Sequence, residues 1–345
     1  MYGFLVDIHI GCNIKNEDIM NSLDFYFEEI RKHKEQCHQI FVCGDLFDHK
    51  LNTDELIFAA DVILKIVCNQ CGKDFSNVPV TFIHGTYSHD QEQYKIFIPL
   101  IQAITSTHIR YMEHCGYFKL HNGVKVLCIP QEYGDIDYSP IFEKEFDIIV
   151  GHGPMVSNTK APCPVGTSEI CMSADQLGDI SKVCVFGHFH EYVNFGKNVF
   201  YAGTCTRWKF GEPGEKVFLL CDDNWNVTKI KNPYAIEFVK KEIFSLDELR
   251  ENISKEITSP IRFIIHCKEN ELEDYHSILN VYKKNKMISC KFISEHDKNR
   301  EKISMNDIKT NNIEPIPALI QYISEKYHVD PTELIDQYVQ KINKE

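Results

Sequence analysis

Apolar residues along this chain fall into two kinds of run, and the two alternate. Short continuous runs of the type that fills a strand buried on both faces occur at residues 4–6, 39–43, 78–83, 146–150, 183–186, 199–201 and 216–220. Between the first of these lie stretches with apolar residues at helical spacing. Residues 16–34 carry Ile19, Leu23, Phe27 and Ile30 on one stripe, and residues 54–67 form a second such stretch. Residues 119–127 read as a hairpin, with Asn122-Gly123 predicting a type I′ turn. Strands alternating with helices over the first two-thirds of the chain predict a layered α/β domain.

Around residue 235 the pattern changes. Ser245 and Glu248 have the spacing of a capping box that opens a helix. A strand at 261–267, a helix at 271–283 and a strand at 287–293 follow, which predicts a small α+β unit over 235–295. Residues 296–313 are polar and charged and read as a linker. Residues 314–345 read as a tail of two short helices, the second opening at Asp330-Pro331 as N-cap and first helical residue.

Composition sets limits on what the chain can be. It has 345 residues, 43% hydrophobic and 25% charged, the balance of an ordinary globular protein with a sizeable core. No apolar run approaches the roughly 18–20 residues that span a bilayer, so no membrane association is expected. The first residues lack a basic leader, so no signal peptide is expected either. Four of the fourteen cysteines, Cys43, Cys128, Cys184 and Cys221, sit inside apolar runs, where a reduced thiol packs as a small hydrophobe. That usage fits a cytoplasmic setting. Cys68 and Cys71 form a close pair with no second pair to complete a zinc site, and read as helix-end cysteines. The net charge of −13 argues against a nucleic-acid partner. Phosphate contacts, however, need only a local basic strip.

The chemistry lies in five polar clusters, each following an apolar run. They are Asp7-Ile-His9, Gly44-Asp45-Leu-Phe-Asp48, the Gly85–Asp90 segment ending in His89-Asp90, Gly151-His152, and Gly187-His188-Phe-His190. α/β folds place ligands at strand ends. Two residues spaced by two positions on an extended chain face the same way, as Asp7 and His9 do, and His188 and His190. Each cluster alone is more often a turn or surface decoration than a site. Five in succession are much harder to dismiss. Carboxylates with imidazoles suit manganese, iron or zinc better than calcium, and a shared carboxylate permits two ions roughly 3.5–4 Å apart.

In order and spacing these clusters resemble the calcineurin-type metallophosphoesterase superfamily. The segment 201–216, with Arg207, Phe210, Glu212 and Lys216, is similar to the block that follows the last metal histidines in SbcD-type break-repair nucleases. The resemblance implies a β-sandwich flanked by helices over residues 1–234, followed by a capping domain at 235–295. It implies that Asp7, His9 and His190 hold one ion, His152 and His188 a second, and that Asp45 bridges them. His89 would act on the scissile phosphate, Asp48 and Asp90 would orient ligands, and Arg207, Phe210 and Glu212 would form a substrate or structural block. The third cluster departs from the family, whose Gly-Asn-His-Asp uses the asparagine as a ligand. Here two residues are added. Ser88, Thr86 and His84 are each candidates for the missing place, with Ser88 favoured by alignment from the His-Asp end.

The activity so implied is a manganese-dependent DNA exo/endonuclease with two divalent cations. It would act as a homodimer with an SbcC-type coiled-coil ATPase that binds the 314–345 tail. A general phosphodiesterase or phosphatase of the same fold, and a catalytically weak DNA-binding scaffold, are the alternatives.

Overall fold

The computed structural model describes residues 1–12, 15–33, 37–68, 78–98, 107–158, 169–207, 209–210, 212, 214–255, 257, 259–281 and 288–293. The expected linker at 296–313 and tail at 314–345 lie outside the described residues, as does Cys71. The chain divides into two compact units, 1–240 with 257–262, and 241–256 with 263–345.

The first unit is built on two six-stranded sheets. Strands β1 (Tyr2–Val6), β2 (Gln39–Cys43), β3 (Val80–Ile83) and β4 (Ile109–Met112) run parallel in one sheet. β5 (Gly116–Lys119), β6 (Lys125–Ile129) and β7 (Phe146–His152) lie in the other, with β8 (Met155–Val156) and β9 (Met172–Ser173) as a small parallel pair beside it. β10 (Ser181–Gly187), β11 (Val193–Gly196) and β12 (Val199–Tyr201) complete the second sheet, in the order β11-β12-β10-β7-β6-β5. β13 (Val217–Cys221) and β14 (Val227–Lys231) return to the first, whose order is β14-β13-β1-β2-β3-β4. The first sheet is parallel from β1 to β4 with antiparallel β13 and β14 on one side, and the second has a parallel centre with an antiparallel strand at each edge.

The alternation of side chains across a strand explains the layering. Phe4 and Val6 of β1 point between the sheets, where they meet Val126 and Cys128 of β6, Ile148 and Val150 of β7, and Val183 and Val185 of β10. Leu5 points the other way. It packs under helices α1 (Asn16–Lys32) and α2 (Thr53–Cys68), with Leu23, Phe27, Ile30, Val62, Ile63 and Ile66. On the far face of the second sheet, Ile149, Cys184 and Phe186 pack with Leu177. Helix α3 is the single turn Tyr87–Asp90, and α4 spans Ala174–Asp179. The result is a layered α/β fold of two mixed sheets flanked by helices, the class expected from the sequence.

The hairpin expected at 119–127 is present as β5 and β6, but its turn differs from type I′. Gly123 alone has positive φ (85°), its amide donates to the Leu120 carbonyl, and Asn122 Oδ1 accepts from the Val124 amide. The extra loop residue relieves asparagine of the left-handed conformation that a two-residue turn demands.

In the second unit, α5 (Leu246–Ile253) opens on Ser245, whose hydroxyl accepts from the Glu248 amide while Glu248 Oε2 accepts from the Phe244 amide. α6 (Leu272–Val281) follows. β15 (Val239–Ile243), β16 (Ile261–His266) and β17 (Ile288–Ile293) form a three-stranded sheet in that order, the first two residues of β15 and of β16 being counted with the first unit.

One buried polar residue ties the first unit's periphery together. Asn232 Nδ2 donates to Ser22 Oγ of α1 (2.9 Å) and to the Cys205 carbonyl (2.7 Å), and its Oδ1 accepts from the Tyr234 amide (3.0 Å). Asn232→Ala leaves the buried Cys205 carbonyl without that donor, a loss of about 1–3 kcal/mol. The melting midpoint should fall by roughly 2–12 °C. A calorimetric midpoint within 1 °C of wild type would show that water replaces the amide.

Candidate metal centre

Six strand ends converge where the two sheets meet. β1 delivers Asp7 and His9, β2 delivers Asp45, β3 leads into Gly85-Thr86, β6 into Gln131, β7 ends on His152, and β10 leads to His188 and His190. The parallel strands all point the same way, so their carboxyl ends share one edge. Beyond the strand ends the β1 and β2 loops interlock, with His9 N donating to Asp45 O (3.0 Å), Ile10 N to Leu46 O (2.8 Å) and Asp48 N to Ile10 O (2.9 Å).

The backbone is strained here. Asp7, His9, Asp45 and His188 have positive φ values of 47°, 51°, 43° and 101°. Non-glycine residues in that region cost of order 1–3 kcal/mol each and persist only where the surroundings impose them. Gly44 serves the same bend (φ 73°), and a Cβ there would lie 2.2 Å from His152 Cδ2. The glycine beside the second cluster thus makes room for a histidine from the other sheet.

Asp45 is the shared member of two groups whose potential ligand atoms lie within 4.8 Å of one another, His9–Asp45–His89 and Asp7–Asp45–His152. His152 Nε2 is 3.1 Å from Asp7 Oδ1 and 3.3 Å from Asp45 Oδ2, and the three side chains are buried. Among the described residues the ion-pair partner of both carboxylates is histidine, not lysine or arginine. Burial opposes ionisation of Asp45, but His152, His9 and His89 outweigh it and hold the carboxyl well below its usual range. Burial likewise opposes charge on His152, and Asp45 and then Asp7 lift it to about 10.

His9 and His190 meet differently. Their Nε2 atoms are 3.2 Å apart. His9 Nδ1 faces Asp48 Oδ1 at 3.6 Å, and His190 Nδ1 donates to Glu212 Oε1 at 3.2 Å. Burial pushes His9 down to about 4, so the ring is neutral near pH 7. The two Nε2 atoms face each other, and carboxylates stand behind both Nδ1 atoms. Two nitrogens 3.2 Å apart also suit one ion at the usual distance of about 2.0–2.1 Å. The donor set therefore fits divalent metal.

Glu212 is held in turn. Its Oε2 pairs with Lys216 Nζ at 2.9 Å, and that buried ammonium also donates to the His190 carbonyl (2.8 Å) and Thr204 Oγ1 (2.7 Å). Arg207 and Phe210 stand further out. Arg207 donates to the Ile236 and Gly214 carbonyls, while Phe210 packs edge-on against Phe238 with the Arg262 guanidinium 4.3 Å over its ring.

The third cluster corrects the sequence reading. Ser88 is exposed on α3, its carbonyl accepting from Gln91 Nε2, and the structure does not bring it among the gathered donors. The loop lengthening puts Ser88 on the outer side of the turn. Thr86 is the residue that reaches Asp45. Its amide donates to Asp45 Oδ1 (2.6 Å), and its hydroxyl lies 3.1 Å from both Asp45 Oδ2 and Gln131 Oε1. His84 directs Nδ1 to the Tyr111 hydroxyl at 2.8 Å. Asp90 accepts the amides of Gly85 (2.7 Å), Asp45 (3.1 Å) and Phe47 (3.2 Å), so it fixes backbone rather than facing the centre. Burial and then Asp45 push its carboxyl up to about 8, against the pull of the Gly85 and Phe47 amides. His89 Nδ1 donates to the Asp48 carbonyl, which leaves Nε2 for the centre.

Sequence reading missed Gln131. Its Oε1 accepts from His152 Nδ1 at 2.9 Å, which keeps Nε2 turned to the centre, where an ion could take the place of its proton, and its Nε2 donates to Glu169 Oε1 at 3.1 Å. Its position one residue beyond the apolar run of β6 was the available signal. Gln131→Ala should weaken binding of one divalent ion by roughly 10-fold or more, the scale for loss of a ligand's outer partner. Calorimetric titration that gives two wild-type affinities would remove Gln131 from the centre.

The family model for calcineurin-like phosphoesterases matches residues 4–192. No curated protein matches the chain. Forty chains of solved structures match it. One is similar over 67% of this chain and 98% of its own, at 11% identity and a TM-score of 0.40, too slight a likeness to bear on activity. The family match covers more than half of the chain and takes in each of the five clusters from Asp7 to His190, and the chain belongs to the calcineurin-like phosphoesterases.

Proposed function

We propose that this phosphoesterase is a manganese-dependent DNA exo/endonuclease, acting as a homodimer with a coiled-coil ATPase of SbcC type. The observation that carries the hydrolytic part is the sharing of Asp45 by two metal-capable groups. The nucleic-acid part is supported by the 201–216 block, whose Glu212 and Lys216 pack on His190. Bound cations would supply a water nucleophile near neutral pH and neutralise charge building on phosphorus.

The chain's own residues do the positioning. Asp7, His9, Asp45, His152, His188 and His190 are the proposed ligands, with Thr86 in the place of the family asparagine. Gln131 and Glu212 set the tautomers of His152 and His190. Asp90 holds the Asp45 amide, which fixes the bridging carboxylate between the two groups. His89, with Nδ1 engaged by the Asp48 carbonyl, presents Nε2 to the centre. There the protonated ring can donate to a phosphate oxygen or to the leaving oxygen. Its place in a metal-capable group supports the alternative role, as a ligand through that same nitrogen.

Asp45→Asn should lower manganese-dependent cleavage of linear DNA by at least about two orders of magnitude while the fold is retained. Wild-type-like cleavage by this variant would remove Asp45 from the reaction. The same assay on a phosphate monoester separates the alternatives, since wild-type hydrolysis of the monoester without any cutting of DNA would leave a phosphatase.

The partner reading rests on the apolar residues Ile316, Leu319, Ile323, Leu334, Ile335, Tyr338, Val339 and Ile342, spaced for two amphipathic helices. Deletion of 312–345 should abolish co-purification with the ATPase and spare cleavage of short substrates. Undiminished binding of the truncated protein would refute docking through the tail.

A further inference from the structure

Asp48 stands behind His9, and it is itself supported from outside. While its Oδ1 faces His9, its Oδ2 lies 3.2 Å from Nδ1 of His49. The other ring nitrogen of His49 lies 3.3 Å from Glu55 Oε2 at the start of α2, and that oxygen also accepts the Asn52 amide at 2.8 Å. The backbone of the segment is pinned as well. Gln93 Nε2 donates to the carbonyls of His49 (3.0 Å) and His89 (3.3 Å), and Gln93 Oε1 accepts from the Leu51 amide (2.9 Å).

Asp48 therefore touches two members of one metal-capable group. Its carboxylate faces His9, and its carbonyl receives His89 Nδ1. A carboxylate with one oxygen free in water can rotate about its terminal torsion, which is broad. His49 holds Oδ2, and so keeps Oδ1 turned to His9. The arrangement parallels Lys216–Glu212–His190 on the other side of the centre, with one difference. The Lys216 side chain is 1% exposed, whereas that of His49 is 45% exposed. A half-exposed pair contributes little to stability, so what His49 supplies is orientation.

We propose that His49 is a positioning residue for the metal centre, acting through the Asp48 carboxylate on His9, with Glu55 fixing its ring. The proposal rests on the metal centre described above and not on the identity of the substrate. A surface ion pair at the start of α2, without effect on the centre, is the alternative.

The full-length protein is titrated with manganese by calorimetry, and cleavage is followed against manganese concentration, for wild type, His49→Ala, His49→Asn and Glu55→Gln. The expected result for His49→Ala is an affinity about 10-fold weaker for one ion, the low end of the range for outer partners of metal ligands. The manganese dependence of cleavage shifts by the same factor. His49→Asn keeps a donor for Asp48 and recovers most of the loss, and Glu55→Gln shows a smaller loss in the same direction. Two wild-type affinities in His49→Ala overturn the proposal. So does an equal loss in the Ala and Asn variants accompanied by a lower metal-free melting midpoint, which marks a packing role. If the wild type binds two ions and His49→Ala weakens one, yet no DNA is cut, the nuclease reading fails and the positioning role stands.

Discussion

A carboxylate buried where two sheets meet cannot keep its charge unless the surroundings supply compensation, and Asp45 is that carboxylate. The compensation comes from every side. Thr86 gives an amide and lies within hydroxyl reach, His152 gives a ring nitrogen from the opposite sheet, and His9 and His89 lie near enough to hold the carboxyl down. Even the backbone nitrogen of Asp45 is assigned a partner, Asp90, which simultaneously binds Gly85 and Phe47. The turn at α3, the bend at Gly44 and the β1–β2 loop interlock can each be understood as conditions for keeping this group ionised and dry.

Much of the fold was legible because its central strands are buried on both faces and appear as unbroken apolar runs. The strands that escaped are the edges. β14 reads Val-Thr-Lys-Ile-Lys and β11 reads Val-Asn-Phe-Gly, polar on one face and short, with no apolar run to announce them. β4, the last strand of its sheet, is one apolar residue followed by partly exposed ones. The helical stretches were visible because α1 and α2 each carry an apolar stripe toward the first sheet.

The gathered side chains were visible for a related reason: Asp7, Asp45, His152 and His188 each stand at the end of a two-faced strand, the last three directly after a glycine. Gln131 stands in an equivalent place after β6, but a glutamine after proline draws no notice, and its importance lies in a bond to a ring 21 residues away. Thr86 and Ser88 could not be separated by spacing. The choice between them depends on which side of a one-turn helix faces Asp45, and the two added residues alter that geometry. His49 was passed over for a similar reason, since its contacts run outward to Glu55 as well as inward.

Asp7, His9 and Asp45 come from one sheet, and His152, His188 and His190 from the other, so the gap across the centre is set by whatever fills the space between the sheets. That filling is ordinary: Val6 and Cys43 on one side, Cys128, Val150 and Val185 on the other. These small residues act as a spacer of fixed thickness. Their bulk gauges how far apart two sets of ligands stand. The hydrophobic core of this protein is in that sense part of its inorganic chemistry, and a methylene added deep in the sandwich would be felt as a change in bite between donors.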